Sequence, residues 1–341
     1  MSRRLAPGDG LITVSLDGQR RAVLQDVQFS YPLKLIVPSR RFLAQAQCVY
    51  VIGYGGGLVA GDRVRMKVLV KEGTTLVMLT QGSTKVFKTR PGRYLTAPGY
   101  ASSSSSSSSC SPPSTSQFYR LSVAASALLV LLPAPVTCFS RARYDQHQAV
   151  HLADGTSSLV LLDWYTSGRM AMNGGGQEGA PGAGEAWQFE RYRSENEVWL
   201  AGERIAQDAL LLEDEPAPSR SGPSAAAAAA AAASSASTPT TYRARVAPYS
   251  CYATLFLFGP ACASLLAHVQ AAFSGLTQYK QNRPYSLVWS FSPLEGHPGG
   301  GGVARCAGAS TEAVREWVTQ LLGEGGIEEL VGRDLWKTAF S

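Results

Sequence analysis

Basic and apolar residues alternate over most of residues 63–71, directly after a glycine-rich stretch. Basic residues occupy positions 63, 65, 67 and 71, and apolar residues occupy positions 64, 66, 68 and 70. Successive side chains of a β-strand point to opposite faces, so this alternation predicts a strand with one solvated and one buried face. Seven further short segments, rich in β-branched and aromatic residues, are predicted strands: residues 74–80, 83–89, 157–163, 187–193, 197–200, 252–258 and 285–291.

Two helices are predicted towards the end of the chain, because apolar residues recur there every three or four positions. Residues 261–273 place Leu265 and Val269 on one face, and residues 311–322 place Val314 and Val318 on one face. Ser310 suits the N-cap of the second helix. Turns at residues 71–74 and 201–203 are predicted to close hairpins. The fold class is therefore mainly β with a small helical layer.

Low-complexity segments interrupt this pattern. Residues 96–116 contain a serine run, residues 173–184 are rich in glycine, and residues 214–241 contain an alanine run flanked by serine and proline. Such segments cannot bury enough apolar surface to offset the loss of chain entropy, so we predict three disordered inserts. We expect residues 1–22 to form an N-terminal tail and residues 23–341 to form a single domain.

The glycine-rich stretch, residues 55–62, has the spacing of a nucleotide-binding loop but lacks its context. A dinucleotide site needs a helix after Gly61 and a carboxylate about twenty residues further on, and a P-loop needs a lysine where Asp62 stands. The alternating residues that follow predict a strand instead. The glycines are therefore interpreted as a tight connection between two strands, where positive φ angles are needed.

Two uncharged spans, residues 121–140 and 250–269, are long enough to cross a bilayer. Both are broken, the first by Pro133 and Pro135 and the second by Gly259-Pro260, so buried strands and a helix are the preferred interpretation. The first ten residues lack the apolar core of a secretory signal. The six cysteines are scattered without a C-x-x-C pair. We expect a cytoplasmic protein.

Positive charge is concentrated in the first third of the chain. Residues 1–100 contain fifteen Lys and Arg against five Asp and Glu, whereas the remainder is net acidic. A basic face attracts nucleic acid, an anionic membrane or an acidic protein. The basic residues alternate along strands without stacking aromatics between them, so a solvated face or an acidic protein partner is favoured over nucleic acid.

The only cluster of potential metal ligands is Asp145, His147 and His151. On a strand these three side chains share a face, and carboxylate and imidazole groups are suitable nickel ligands. His147 and His151 would be about 13 Å apart on an extended strand, which is too far to hold one ion. A hydrated strand face is the alternative interpretation.

Signatures of catalysis are missing from the sequence. It contains no G-x-S-x-G elbow, no H-E-x-x-H and no cysteine with an evident histidine partner. Asp163 and Arg169 flank a Ser-Gly turn, where a local ion pair or a turn-stabilising carboxylate is the simplest interpretation. The sequence therefore favours a protein that recognises partners over an enzyme that turns over a substrate.

Several motifs, in their order along the chain, resemble the urease accessory protein D family. Residues 56–62, Gly-Gly-Leu-Val-Ala-Gly-Asp, and residues 80–87, Thr-Gln-Gly-Ser-Thr-Lys-Val-Phe, carry the resemblance first. Four later blocks follow in the family's order, at residues 132–139, 163–169, 184–190 and 208–213. The sequence of these motifs is most similar to that of the plant-like eukaryotic branch of the family. Ala134 stands where the family usually has an acidic residue, and Phe87 stands where tyrosine is common.

The resemblance implies a stacked, β-helix-like arrangement of strands and a non-enzymatic scaffold for urease maturation. Such a scaffold docks on urease apoprotein, binds accessory protein F and through F recruits the GTPase G, so that nickel is inserted into urease. The resemblance implies no stably bound cofactor and at most a transient encounter with nickel. It also implies no nucleic-acid or membrane partner.

The positions expected to hold this scaffold or contact its partners are Gly55, Gly56, Gly57, Leu58, Gly61, Asp62, Thr80, Gln81, Thr84, Lys85, Asp163, Gly168 and Arg169. Two alternatives stay open at this point. A nickel-binding metallochaperone would need converging ligands around His147. A dinucleotide-dependent oxidoreductase, the weaker alternative, would need a helix after Gly61.

Overall fold

A computed structural model describes residues 5–39, 46–89, 114–169, 185–214, 241–276, 286–294, 296 and 299–339. The alternating segment forms strand β6, Arg63–Val70, with its apolar residues buried and its basic residues exposed, as predicted. The inserts predicted at residues 173–184 and, for the most part, at 96–116 and 214–241 lie outside the described residues.

The described strands form two sheets. Sheet 1 has seven strands in the order β15-β14-β12-β9-β6-β1-β2. Its members are β1 Asp9–Leu16, β2 Ala22–Phe29, β6, β9 Thr115–Val123, β12 Arg143–Leu152, β14 Arg191–Leu200 and β15 Glu203–Glu213.

Sheet 2 has eleven strands, with β17-β18-β16-β13-β10-β7-β4-β3 as its main path. These are β3 Leu33–Ile36, β4 Ala46–Gly53, β7 Thr75–Thr80, β10 Leu128–Leu132, β13 Ser158–Thr166, β16 Cys251–Phe258, β17 Leu287–Leu294 and β18 Gly301–Gly308. Three short strands extend one end of it: β5 Gly57–Leu58, β8 Thr84–Val86 and β11 Val136–Cys138.

The chain alternates between the sheets and stacks parallel strands within each one. It passes from β6 to β7, then through β9, β10, β12 and β13 to β14, so each coil adds one strand to sheet 1 and one to sheet 2. Neighbours β6, β9, β12 and β14 are parallel, as are β4, β7, β10 and β13. This is the stacked, β-helix-like arrangement that the family resemblance implied.

One of the two predicted hairpins is wrong. The turn at residues 71–74 joins β6 to β7, which belong to different sheets, so it is a corner of the coil. Gly73 takes a φ of 68° there. The predicted turn at residues 201–203 does close an antiparallel hairpin between β14 and β15. The turn residues determine where the chain changes direction. Whether the two flanking strands then pair depends on which of their faces are buried.

The described residues include five α-helices, of which the first leads from sheet 1 into β16 and buries Tyr242 and Val246 between the sheets, while the other four belong to the layer outside sheet 2. The five are α1 Tyr242–Val246, α2 Ala263–Ser274, α3 Thr311–Glu324, α4 Ile327–Val331 and α5 Arg333–Ala339. The two predicted helices correspond to α2 and α3. The hydroxyl of Ser310 accepts a hydrogen bond of 3.1 Å from the amide of Ala313, which confirms the predicted cap. The three short helices lack enough turns to give a periodic signal.

Two buried layers result. The first lies between the sheets and includes Ile12, Val68, Leu129 and Leu161. The second lies between sheet 2 and the helices and includes Leu162, Leu255, Val269 and Val318. Leu161 and Leu162 are consecutive in β13 and point into different layers, because alternate residues of a strand face opposite sides.

Three expectations need correction. Residues 1–22 were predicted to be a tail, but residues 9–16 form β1, which pairs with β6 and β2 in sheet 1, and Ala22 begins β2. The insert predicted at 96–116 ends earlier, because β9 begins at Thr115. The strand predicted at 187–193 is wrong over its first half: Trp187 and Phe189 lie in a connection, and one strand runs over residues 191–200. Large aromatic residues favour strands, yet here they fill the core from a loop.

Candidate functional site

The motifs that carried the family resemblance meet at one end of sheet 2. Gly57 of β5 pairs with Lys85 of β8, Thr84 of β8 pairs with Val136 of β11, and Val136 pairs with Tyr165 of β13. All three pairings are parallel. Blocks that are widely separated in sequence, from Gly57 to Tyr165, are therefore successive rungs of one ladder.

The ladder requires glycine at one particular position. A Cβ atom added to Gly57 would lie 2.5 Å from the carbonyl oxygen of Lys85 and 2.7 Å from the ring of Phe87. Gly55, Gly56 and Gly61 instead have positive φ angles of 75°, 75° and 87°. The stretch is thus a tight strand-to-strand connection, as predicted.

Asp62 closes this connection from inside. Its Oδ2 accepts a hydrogen bond of 2.9 Å from the amide of Val59, and its carbonyl oxygen accepts one from the amide of Ser116. The side chain is only 3% exposed, and burial raises the pKa of its carboxyl group. The residue after Asp62 starts β6 and not a helix. This removes the helix N-terminus that the dinucleotide-binding alternative required.

Thr80 ends β7, and Gln81 lies in the turn between β7 and β8. The Thr80 hydroxyl accepts a hydrogen bond of 2.7 Å from the amide of Ala134 and donates one of 3.1 Å to the carbonyl of Gly82. The bond from Ala134 joins the turn to the segment between Pro133 and Pro135, where the family usually has an acidic residue. Gln81 and Lys85 are exposed, so they are available to a partner.

Gly168 and Arg169 close the other end of the ladder. Gly168 has a φ of 120°, and a Cβ there would lie 2.6 Å from the carbonyl oxygen of Glu185. Arg169 binds both carboxylate oxygens of Glu185, at 3.2 and 2.8 Å, and its guanidinium lies 4.3 Å from the centre of the Phe139 ring. Hydrogen bonding from Arg169 lowers the pKa of Glu185.

Asp163 is not a partner of Arg169, which corrects the predicted ion pair. Its carboxylate is buried between the sheets and accepts hydrogen bonds from Gln146, Ser194 and Asn196, at 2.9, 2.6 and 2.7 Å. Desolvation raises the pKa of Asp163, while these three donors oppose the rise. A buried carboxylate held by neutral donors is costly for stability, which makes it a marker of function.

Asp163 belongs to a strip of buried polar residues that sequence reasoning missed. Gln117, Gln146 and Ser194 are register partners on β9, β12 and β14, and Tyr119, Gln148 and Asn196 are register partners one rung along. The amide of Gln148 donates to Asn196 at 2.9 Å, and Tyr144 bonds Gln117 and Gln146. The signal was present, since polar residues occupy inward positions of β12 and β14 where alternation predicts apolar ones.

Cavities adjoin this polar strip. A small internal cavity of about 30 Å³ is lined by Asp163, Gln146, Gln148, Thr80 and Thr84. A second of about 50 Å³ reaches the glycine connection. A wide groove of about 860 Å³ runs from the turn at residues 80–83, past Trp164, to the start of α3. The polar strip therefore approaches the surface where the motif residues lie.

The predicted metal ligands share a face of β12, but they do not converge. Asp145 pairs with Arg191 at 3.0 Å, and the ring of His151 stacks on Trp199 at 5.9 Å. His147 instead faces Glu195 and Glu197 on the neighbouring strand, and one ligand atom from each of these three residues lies within 4.8 Å of the others. Both carboxylates already bind arginines, Glu195 through Arg193 and Glu197 through Arg204.

Two further properties bear on the class of protein. The described cysteines are buried, and desolvation raises the pKa of Cys48 and Cys251 to about 12, so these thiols are protonated at neutral pH. Within the part of the chain that the structure describes, no helix is long and apolar enough to cross a membrane.

Two sheets of stacked parallel strands, with the motif residues at one end and a polar strip behind them, define a mainly β protein of the β-helix-like class. The sequence matches the family described as UreD urease accessory protein over residues 9–334. The chain therefore belongs to the UreD urease accessory protein family and is an accessory protein, not an enzyme.

Similar proteins come from fungi, plants and bacteria. The chain is 34% identical to "Urease accessory protein 4" of Cryptococcus neoformans var. grubii over 98% of its length and 95% of that protein. It is 32% identical to "Urease accessory protein D" of Arabidopsis thaliana, covering 89% and 91% of the two chains. It is 33% identical to "Urease accessory protein UreD" of Sorangium cellulosum, covering 86% and 73%.

Proposed function

We propose that this protein is the scaffold on which nickel is inserted into urease. It docks on urease apoprotein, binds accessory protein F and through F recruits the GTPase G, in the cytoplasm. The observation that carries the proposal is the ladder from Gly57 to Tyr165, which joins the motif blocks into one surface end. A rigid sheet end of this kind suits recognition, because its side chains are ordered before a partner arrives.

The polar strip supports a second part of this proposal, a path through the scaffold for the nickel ion. Gln117, Gln146, Gln148 and Asn196 offer neutral oxygen and nitrogen atoms between the sheets, and Asp163 offers the one buried carboxylate of the strip. Carbonyl and carboxylate oxygens replace the water around a divalent cation. Neutral donors bind weakly enough for release, as a path requires.

The test is a stepwise assembly with purified components. The tagged chain is incubated with its own accessory protein F, urease apoprotein and the GTPase G, together and with each component omitted. We expect G to be captured only when F is present, and urease to gain nickel and activity only with the complete set and GTP. Failure of the chain to capture either F or apoprotein at micromolar concentration would contradict the scaffold.

The convergence of His147, Glu195 and Glu197 favours a second candidate function, nickel binding by this chain itself. One imidazole and two carboxylates make a suitable nickel ligand set, although a bound ion must displace Arg193 or Arg204 from a carboxylate. Equilibrium dialysis with nickel tests it. His147→Ala should abolish a bound equivalent, whereas His151→Ala, on the same strand face, should leave it intact. Equal uptake by both variants would refute the site.

A further inference from the structure

Exposed apolar side chains are unevenly distributed over the described residues. Of the ten large hydrophobic residues that are exposed, six lie between residues 29 and 59: Phe29, Tyr31, Ile36, Val37, Tyr54 and Val59. Tyr31 and Tyr54 are 57% and 45% exposed, and their ring centres are 5.6 Å apart. Single exposed apolar residues are common, but a cluster of them marks an interaction surface.

This cluster adjoins the glycine connection. Tyr54 immediately precedes the glycines, and the Nζ atom of Lys34 lies 5.7 Å from the centre of its ring. Ile36, on the edge strand β3, lines the wide groove together with Gln81. Lys85 pairs with Gly57 in the ladder. We call the set Tyr31, Lys34, Ile36, Tyr54, Gln81 and Lys85 the glycine-turn surface.

The chain segments that build the glycine-turn surface are rich in positive charge. Of the acids that other segments bring close to it, Asp9 is paired with Arg65, and Glu312 lines the wide groove together with Arg315. Residues 27–88 contain nine Lys and Arg but only Asp62 and Glu72 as acids. Asp62 is buried, and Glu72 lies beyond the far end of β6, about 25 Å away for eight residues of extended strand. Among the described residues, neither Lys34 nor Lys85 has a carboxylate in ion-pair contact. The surface therefore leaves cationic side chains for a partner to neutralise.

We infer that the glycine-turn surface docks an acidic protein surface that presents an apolar anchor to the tyrosine pair. Aromatic residues at the centre of a patch supply affinity when they are desolvated, and complementary charge around them supplies orientation and association rate. The inference rests on the proposed function, since it assigns this surface to one of the scaffold's partners.

The test compares affinities of the full chain for its own accessory protein F and, separately, for urease apoprotein, by biolayer interferometry at about 50 and about 300 mM NaCl. The variants are Tyr54→Ser and Lys85→Glu. Matched controls are Val288→Ser and Lys337→Glu, which change exposed residues on the edge strand β17 and on α5. Melting temperatures establish that each variant folds.

We expect both test variants to raise the Kd for one partner at least about tenfold, the size typical of an interface hot spot. Lys85→Glu should also reduce the dependence of that Kd on salt, and the controls should bind like the wild type. Variants that keep the wild-type Kd and salt response for both partners would overturn this inference alone. A wild-type chain that binds neither partner would overturn it together with the proposed function.

Discussion

The two faces of strand β13 separate buried layers of different chemistry. Leu162 and Trp164 point towards the helices, where they pack with Leu255, Val269 and Val318 in an apolar cluster. Asp163 points towards sheet 1, where it meets Gln146, Ser194 and Asn196. The two layers are one residue apart in sequence, so the difference cannot come from local backbone preference.

The difference indicates what each layer does. Apolar side chains stabilise the fold by roughly 25 cal/mol per Å² removed from water, whereas buried polar groups at best recover what their desolvation costs. The layer under the helices therefore supplies stability, as do the apolar residues that surround the polar strip between the sheets. The polar strip is retained at a cost to stability, which is expected of residues that serve the path proposed above.

The largest expected effect breaks the apolar layer. Leu162→Ala removes a fully buried side chain and leaves a cavity, so we expect the free energy of unfolding to fall by about 3 kcal/mol. Urea denaturation followed by circular dichroism measures it. Leu276→Ala, at a leucine that is 46% exposed, should change stability by less than about 0.5 kcal/mol. A loss below about 1 kcal/mol at Leu162 would mean that the layer is not tightly packed.

A smaller loss is expected from the polar strip. Asp163→Ala leaves three buried donors without their acceptor, for a loss of about 2 kcal/mol that is partly offset because a buried charge is removed. The same urea experiment measures it. Nickel delivery to urease in the assembled complex should fall much further than stability does. Retention of full delivery by a folded Asp163→Ala protein would exclude the carboxylate from the ion's path.

The two layers also differ in their response to pH. Desolvation raises the pKa of folded Asp163, so the folded state binds the proton more tightly than the unfolded state does. Its contribution to stability is therefore greatest at low pH and is lost as pH rises from the ordinary value near 4 towards the raised pKa. Asp163→Asn should remove this dependence.

Stability curves of the wild type, Asp163→Asn and Glu185→Gln across about pH 3 to 8 provide the measurement. The wild type should lose stability relative to the variant as pH rises. The contribution of Glu185 to stability has the opposite pH dependence, because a lowered pKa means that this contribution is lost as pH falls. Glu185→Gln is therefore the matched comparison. Parallel curves for the wild type and Asp163→Asn would show that the buried carboxylate titrates normally.

Sequence reasoning reached the fold class because alternation and helical spacing are local properties. The strand at residues 63–70, the cap at Ser310 and the glycine connection all follow from neighbours in the chain. The β-helix-like stacking came only through the family resemblance. The role of β1 was missed because its eight residues resemble any short strand, and their partner β6 lies more than forty residues away.

The site was predicted in part for the same reason. The motif blocks were identified, but their assembly into one ladder depends on parallel register across four separate segments. The pairing of Asp163 with Arg169 was wrong because proximity in sequence was taken for proximity in space. Strand alternation sends Asp163 inwards to Gln146, while Arg169, beyond the strand end, reaches Glu185.

The smallest expected effect separates stability from function most cleanly. Gln148 donates to Asn196 at 2.9 Å, and Asn196 in turn donates to Asp163, so Gln148 is one hydrogen bond removed from the carboxylate. Gln148→Leu replaces the amide with a side chain of similar size, so the loss of the donor to Asn196 is partly offset by apolar burial and stability should fall by about 1 kcal/mol. Nickel delivery should nevertheless fall, because the strip loses a polar side chain beside the internal cavity.

Val150→Leu, two residues along the same inward face, is the control for altered packing alone. If Gln148→Leu delivers nickel as well as the wild type while Asp163→Ala does not, the carboxylate acts alone and the remaining polar residues serve only to hold it.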